Sequence, residues 1–132
     1  MIFQPDKSLV KELKRIIKGD LKFLKGSGWV ARTIRNGTMV TYLNKKLGMI
    51  VKAPVVIIGK ETDGITLPTV KLGYGWVLQP ICSFEDRKEA FLELEKKIGP
   101  EDIDKIAYDF HLQNLGWWHY APGKRTARMF DW

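Results

Sequence analysis

Gly28-Trp-Val-Ala-Arg-Thr-Ile34, then Arg35-Asn36-Gly37, then Thr38-Met-Val-Thr-Tyr-Leu43 is the stretch on which the fold turns. Two runs rich in β-branched and aromatic residues flank an Asn-Gly pair. Both residues of that pair tolerate positive φ, which a two-residue hairpin turn demands, so the stretch predicts two antiparallel strands. Next along the chain, Gly48-Met-Ile-Val-Lys-Ala53 reads as a third strand, and Val55-Val-Ile-Ile58 as its continuation or a fourth. Glu61-Thr-Asp-Gly64 is a turn. Lys71-Leu-Gly-Tyr-Gly-Trp-Val-Leu78 reads as one further strand ending at Gln79-Pro80. On the N-terminal side, residues 8–18 place Leu9, Leu13, Ile16 and Ile17 on one helical face, opposite a lysine-rich one. Pro5 with Asp6 or Ser8 starts that helix and Gly19 stops it.

The last third returns to helical spacing. Ser83-Phe-Glu-Asp86 has the Ser-x-x-acid pattern of a helix start, with Phe84, Phe91, Leu94 and Ile98 as the apolar face and Gly99-Pro100 as the end. Pro100 opens another helix with acids in its first turn and Ile103, Ile106, Ala107 and Phe110 as its stripe. Leu115-Gly-Trp-Trp118 and Arg128-Met-Phe130 then read as two short strands joined by the basic loop Pro122-Gly-Lys-Arg-Thr126. A helix, an antiparallel sheet, helices and a small hairpin in that order predict an α+β fold rather than alternating βαβ units. The expectation is a single domain over 1–132, with a sheet lobe at 1–79 and a reduced helical lobe at 80–132.

Composition narrows the class. The 132 residues suit one domain, and 45% of them are apolar, enough to bury a core and to exclude a disordered chain. The single cysteine, Cys82, excludes a disulfide within the chain. The N-terminal residues lack the order of a signal peptide, and no apolar run approaches a membrane-spanning length of about 18 residues, so a cytoplasmic protein with no membrane contact is expected. The net charge of +7 is lopsided: residues 1–60 carry 13 Lys and Arg against 3 Asp and Glu, and residues 61–132 carry 9 against 12. A basic first half suits a polyanion such as a nucleotide phosphate, a nucleic acid or an acidic protein surface.

One constellation points to chemistry. Asp109-Phe-His-Leu-Gln-Asn114 follows the last predicted helix, and Asp131 closes the final apolar run. Phosphoryl transfer needs positioning and charge neutralisation more than covalent help: one carboxylate to accept the acceptor's proton, and an Asn and an Asp to hold Mg²⁺ against the phosphates. Asp109, Asn114 and Asp131 have those types in that order.

The segment Asp109–Asn114 resembles the catalytic loop of the protein-kinase-like superfamily. His111 makes it most similar to the small-molecule branch of aminoglycoside phosphotransferases and choline kinases. Phe130-Asp131-Trp132 resembles that superfamily's metal-binding Asp-Phe-Gly segment. Gly26-Ser-Gly28 looks like a phosphate-covering glycine loop, and Met49-Ile-Val-Lys52-Ala resembles the strand whose Lys pairs with the phosphates. Tyr74-Gly-Trp-Val-Leu-Gln79-Pro80 looks like the last sheet strand running into an adenine-holding hinge. The resemblance covers roughly residues 24–132. It implies an antiparallel kinase-like sheet, a reduced helical lobe with a catalytic-loop hairpin, and ATP with Mg²⁺ as cofactors. It also implies Asp109 and Lys52 as catalytic residues, Gly26, Gly28, Lys52 and Gln79 as nucleotide contacts, and Asn114 and Asp131 as metal ligands.

The chain departs from the family at Ala107, where a His usually stands two residues before the catalytic Asp. It also lacks, after Lys52, the helix whose Glu pairs with that Lys, and Glu12 of the first helix is the expected substitute. The implied activity is transfer of the γ-phosphate to a hydroxyl of a protein partner or of the chain itself. Two alternatives stand beside it: a non-catalytic kinase-like protein that grips and inhibits a partner protein, and a basic nucleic-acid-binding module. The second would stack bases on Trp117-Trp118-His119-Tyr120 beside Lys124, Arg125 and Arg128.

Overall fold

Among the residues described by the computed structural model, 3–18, 28–34, 39–53, 64–99 and 112–130, the chain is α+β, with two α-helices and two antiparallel sheets. It divides into two units, Met1–Val56 with Thr69–Pro80, and Ile57–Pro68 with Ile81–Trp132. The Val55–Ile58 strand, the Asn36-Gly37 turn and the helix opening at Pro100 fall outside the described residues.

In the first unit, helix α1 (Lys7–Lys18) starts at Asp6. The Asp6 carboxylate accepts the Ser8 backbone N–H at 2.9 Å and the Ser8 hydroxyl at 2.8 Å, which satisfies one of the amides that a helix N-terminus leaves open. The strands are β1 (Val30–Ile34), β2 (Met39–Asn44), β3 (Met49–Ala53), β4 (Val70–Gly73) and β5 (Trp76–Pro80), in the spatial order β1-β2-β3-β5-β4 and antiparallel throughout. Ile34 pairs with Met39, so the two runs flanking the Asn-Gly pair are adjacent antiparallel strands, as predicted. The run from Lys71 to Leu78, expected as one strand, is instead a hairpin. Gly73 pairs with Trp76 around Tyr74 (φ 55) and Gly75 (φ 79), and two consecutive left-handed residues reverse the chain.

Alternation along the strands gives this sheet two different faces. Tyr42, Val51 and Leu78 lie in one cross-strand row and bury against Leu13 and Ile17 of α1, with Trp29, Leu72 and Trp76 completing the core. Burying each such side chain contributes about 1.5–3 kcal/mol, and this core is what makes the helix persist. The adjacent row, Thr41, Lys52, Val77 and Lys71, belongs to the other face.

The second unit holds β6 (Cys82–Ser83), α2 (Arg87–Lys97), a 3-10 turn (Leu112–Asn114), β7 (Leu115–Ala121) and β8 (Lys124–Met129). Its sheet order is β6-β7-β8, antiparallel, and Leu94 and Ala90 of α2 pack with Leu115, Ala127 and Met129. Ser83 does not start the helix as predicted. Pairing with Trp117 holds it in β6, and α2 begins three residues later at Asp86, a left-handed N-cap whose side chain makes no cap bond. Phe84, expected on the helix's apolar face, is exposed and meets Phe130 edge-on at 5.6 Å. The predicted basic loop contracts to a Pro122-Gly123 turn because β8 already begins at Lys124. The outer edge of β8 is closed twice. The Glu93 carboxylate accepts the Ala127 N–H at 2.7 Å, and residues 65–67 run alongside it, with Met129 N–H donating to the Ile65 carbonyl and Leu67 N–H to the Met129 carbonyl. No helix among the described residues is long and apolar enough to cross a membrane.

Candidate functional site

Lys52 owes its position to the pattern Val51-Lys52-Ala53. Its two neighbours enter the core with α1, so the period-two pleat sends Lys52 to the opposite face. There it is only 2% exposed. An ammonium so deeply removed from water costs several kcal/mol unless polar or anionic groups compensate its charge, and Lys52 does not stand there without partners.

The strands on either side supply polar neighbours. Thr41 lies directly across from Lys52 on β2 and is 7% exposed, yet its hydroxyl has no hydrogen-bond partner among the described residues. Gln79 stands diagonally across on β5, on the same face. It is fully buried, and its amide donates to the Thr69 hydroxyl at 2.8 Å. Val77 and Ile50 supply the apolar part of the strip. An ammonium, an unpartnered hydroxyl and an amide over an apolar floor suit an anionic oxygen bound beside a flat apolar group.

Gly28 is not part of this strip. It precedes β1 next to Asn44 at the end of β2, four residues before Arg32, which is the β1 residue of the Lys52 row. The end of β1 near Lys52 is Ile34, which leads into residues 35–38. Gly26 is outside the described residues. The expected role of Glu12 is also corrected. Its carboxylate binds the Arg15 guanidinium at 2.6 Å on the solvent side of α1, and α1 packs on the sheet face that Lys52 avoids. The apolar stripe of the helix, not its charges, selects which face it covers.

In the second unit, the Asn114 carbonyl accepts the Phe130 N–H at 2.9 Å, continuing the β7–β8 ladder beyond the Leu115–Met129 pair. Asn114 is therefore opposite the residue that precedes Asp131 in sequence. Asp109, His111 and Asp131 lie outside the described residues.

Sequence reading missed one pair. Ser83 Oγ and His119 Nε2 are 2.7 Å apart, joined by the β6–β7 register across 36 residues of chain, a long-range pairing with no local signal. Glu85 accepts from Ser83 at 3.1 Å and approaches the same His119 nitrogen at 3.6 Å. A catalytic triad places its carboxylate on the other ring nitrogen, so this cluster is a polar contact and not a relay. Trp117 and Trp118, expected to stack bases, are buried. The Arg125 guanidinium lies over Trp117 at 4.0 Å and within 3.6 Å of Glu85, Asp86 and Glu89, so its charge is already answered.

Comparison with protein-family models, with curated proteins and with solved structures found no match.

Proposed function

We propose that the chain is a minimal kinase-like protein that binds ATP with Mg²⁺ and transfers the γ-phosphate to a protein hydroxyl. The observation that carries this reading is Lys52. It is a buried lysine on the third strand of an antiparallel sheet, the strand on which protein kinases carry their phosphate-pairing lysine. Lys52 contacts the phosphates, the unpartnered Thr41 hydroxyl adds a donor, and the end of β5 at Gln79 meets the base. Support for the metal ligands is the Asn114–Phe130 bond, which seats Asn114 opposite the neighbour of Asp131. Asp109 is the proposed general base. The bound magnesium supplies charge neutralisation at the phosphates.

Thermal unfolding with Mg²⁺–ATP tests the binding. At about a hundred times Kd a ligand adds about 2.7 kcal/mol to stability, a rise of several degrees for a chain of this size. The rise is expected for the wild type and is expected to vanish in Lys52→Met. An unchanged midpoint at millimolar nucleotide overturns the reading. Radiolabelled ATP then separates transfer from binding: label on protein that disappears in Asp109→Asn marks an enzyme. Binding with no label identifies the non-catalytic, partner-gripping alternative.

A further inference from the structure

We propose that a groove beside α1 docks an acidic, extended segment of a partner protein. The groove lies in the first unit, on the side of α1 facing the N-terminal segment. Its floor is apolar: Phe3, Pro5, Val10 and Val70, three of them partly buried against the core. Its rim is cationic: Lys7, Lys11 and Lys14, at the i, i+4, i+7 spacing that aligns them along one flank of the helix. None of the three joins an ion pair among the described residues, whereas Arg15 on the same helix is paired with Glu12.

Shape and charge together select the occupant. A volume of about 840 Å³ is near the top of the range of small-molecule sites, roughly 300–1,000 Å³, and holds several side chains of a peptide. Three ammoniums with no carboxylate among the lining residues call for a negatively charged partner, and the +10 balance of residues 1–60 extends that field. A bilayer needs apolar side chains that project outward, but here those lining the groove are half-buried while the lysines are exposed. Single-stranded nucleic acid needs exposed aromatic platforms, and Phe3 is the one aromatic residue in the groove. A peptide that alternates carboxylates with apolar side chains satisfies both rim and floor. Val70 belongs to β4, which among the described residues pairs only with β5, so the open edge of β4 offers such a segment main-chain hydrogen bonds as well.

The inference needs no nucleotide. The probe is a fluorescent peptide of alternating Glu and Leu, titrated with the full chain, beside Gln–Leu and Glu–Ser peptides, vesicles containing phosphatidylserine, and single-stranded DNA. Lys11→Glu with Lys14→Glu is expected to weaken Glu–Leu binding by about tenfold or more. Lys88→Glu with Lys96→Glu on exposed α2 positions makes the same change in net charge and is expected to cost less than about twofold. Val10→Asn tests the floor and is expected to weaken binding in protein whose thermal midpoint shows it folded. The proposal is overturned if the Glu–Leu peptide fails to bind, if the Gln–Leu or Glu–Ser peptide binds as tightly, or if both charge reversals cost the same. It is also overturned if vesicles or DNA, and not the peptide, lose binding in the Lys11 and Lys14 variant.

Discussion

Thr41 separates a binding role from a structural one better than Lys52 does. A buried hydroxyl without a partner costs about 1–3 kcal/mol, so replacing it with an isosteric methyl removes a cost rather than a contact. Thr41→Val is expected to keep or raise the thermal midpoint without ligand and to lose most of the added stability from Mg²⁺–ATP. A variant that is destabilised yet binds nucleotide as the wild type does would show the hydroxyl to be a packing element. Asp6 gives a prediction of a different kind. The Ser8 hydroxyl and then the Ser8 amide hold its carboxyl below the ordinary value of 3.8. A depressed folded value means that the cap's contribution is complete above pH 3.8 and is lost as pH falls through the lowered value. The difference in midpoint between wild type and Asp6→Ala is therefore expected to be constant at neutral pH and to shrink in acid. A difference that grew in acid would assign the effect to something other than the carboxylate. Both residues show how far the sequence carries. A cap at Asp6 or Ser8 was legible beforehand because capping is local, and the hydrogen bonds choose Asp6. Lys52 was legible as a strand lysine, but its burial, and the empty hydroxyl beside it, depend on which strands flank β3.

The β4–β5 hairpin shows where local patterning misleads. A run of alternating apolar residues from Leu72 to Leu78 reads as one strand, and the reversal rests on two residues with positive φ, only one of them glycine. A non-glycine residue in the left-handed region costs about 1–2 kcal/mol, and Asn bears it best. Tyr74 is largely exposed and so has little packing to lose. Tyr74→Asn is expected to stabilise the protein by up to about 1 kcal/mol, read as a higher denaturant midpoint at unchanged m-value. A lower midpoint would mean that the Tyr74 ring has a function in the fold. In the second unit, α2 is tied to the sheet by Glu93 as well as by Leu94. Glu93→Ala leaves the Ala127 N–H without its acceptor at a cost of about 1–3 kcal/mol, and Leu94→Ala opens a cavity at about 2–5 kcal/mol. Urea unfolding of the two variants gives the ranking. The sequence did signal α2, but it misplaced the start. Ser83 has the residue type of a cap, yet the distant Trp117 claims its backbone for a strand, and no window around residue 83 contains that information.

Charge acts on the whole chain, and two effects oppose each other. Arg125 with Glu85, Asp86 and Glu89, and Lys97 with Glu93, are attractions that salt weakens, but all are at least partly exposed and worth little each. Against them stands the +10 balance of residues 1–60, including Lys7, Lys11 and Lys14 on one flank of α1, where like charges three or four positions apart cost about 0.2–0.5 kcal/mol per pair. Acid partners are scarce in that half, so repulsion outweighs attraction there, and screening it favours the folded state. The thermal midpoint is therefore expected to rise as NaCl is increased from about 10 mM to about 300 mM, over which the screening length falls from about 30 Å to under 10 Å. Lys11→Glu removes three like-charge pairings, with Lys7, Lys14 and Arg15, and places a carboxylate within reach of the same three cations. It is expected to be more stable than the wild type at low salt and to respond less to added salt. A midpoint that falls with salt would place the balance with the Arg125 and Glu93 clusters. A Lys11→Glu variant less stable than the wild type at low salt would show that the lysine's aliphatic stem, packed along the groove, outweighs its charge.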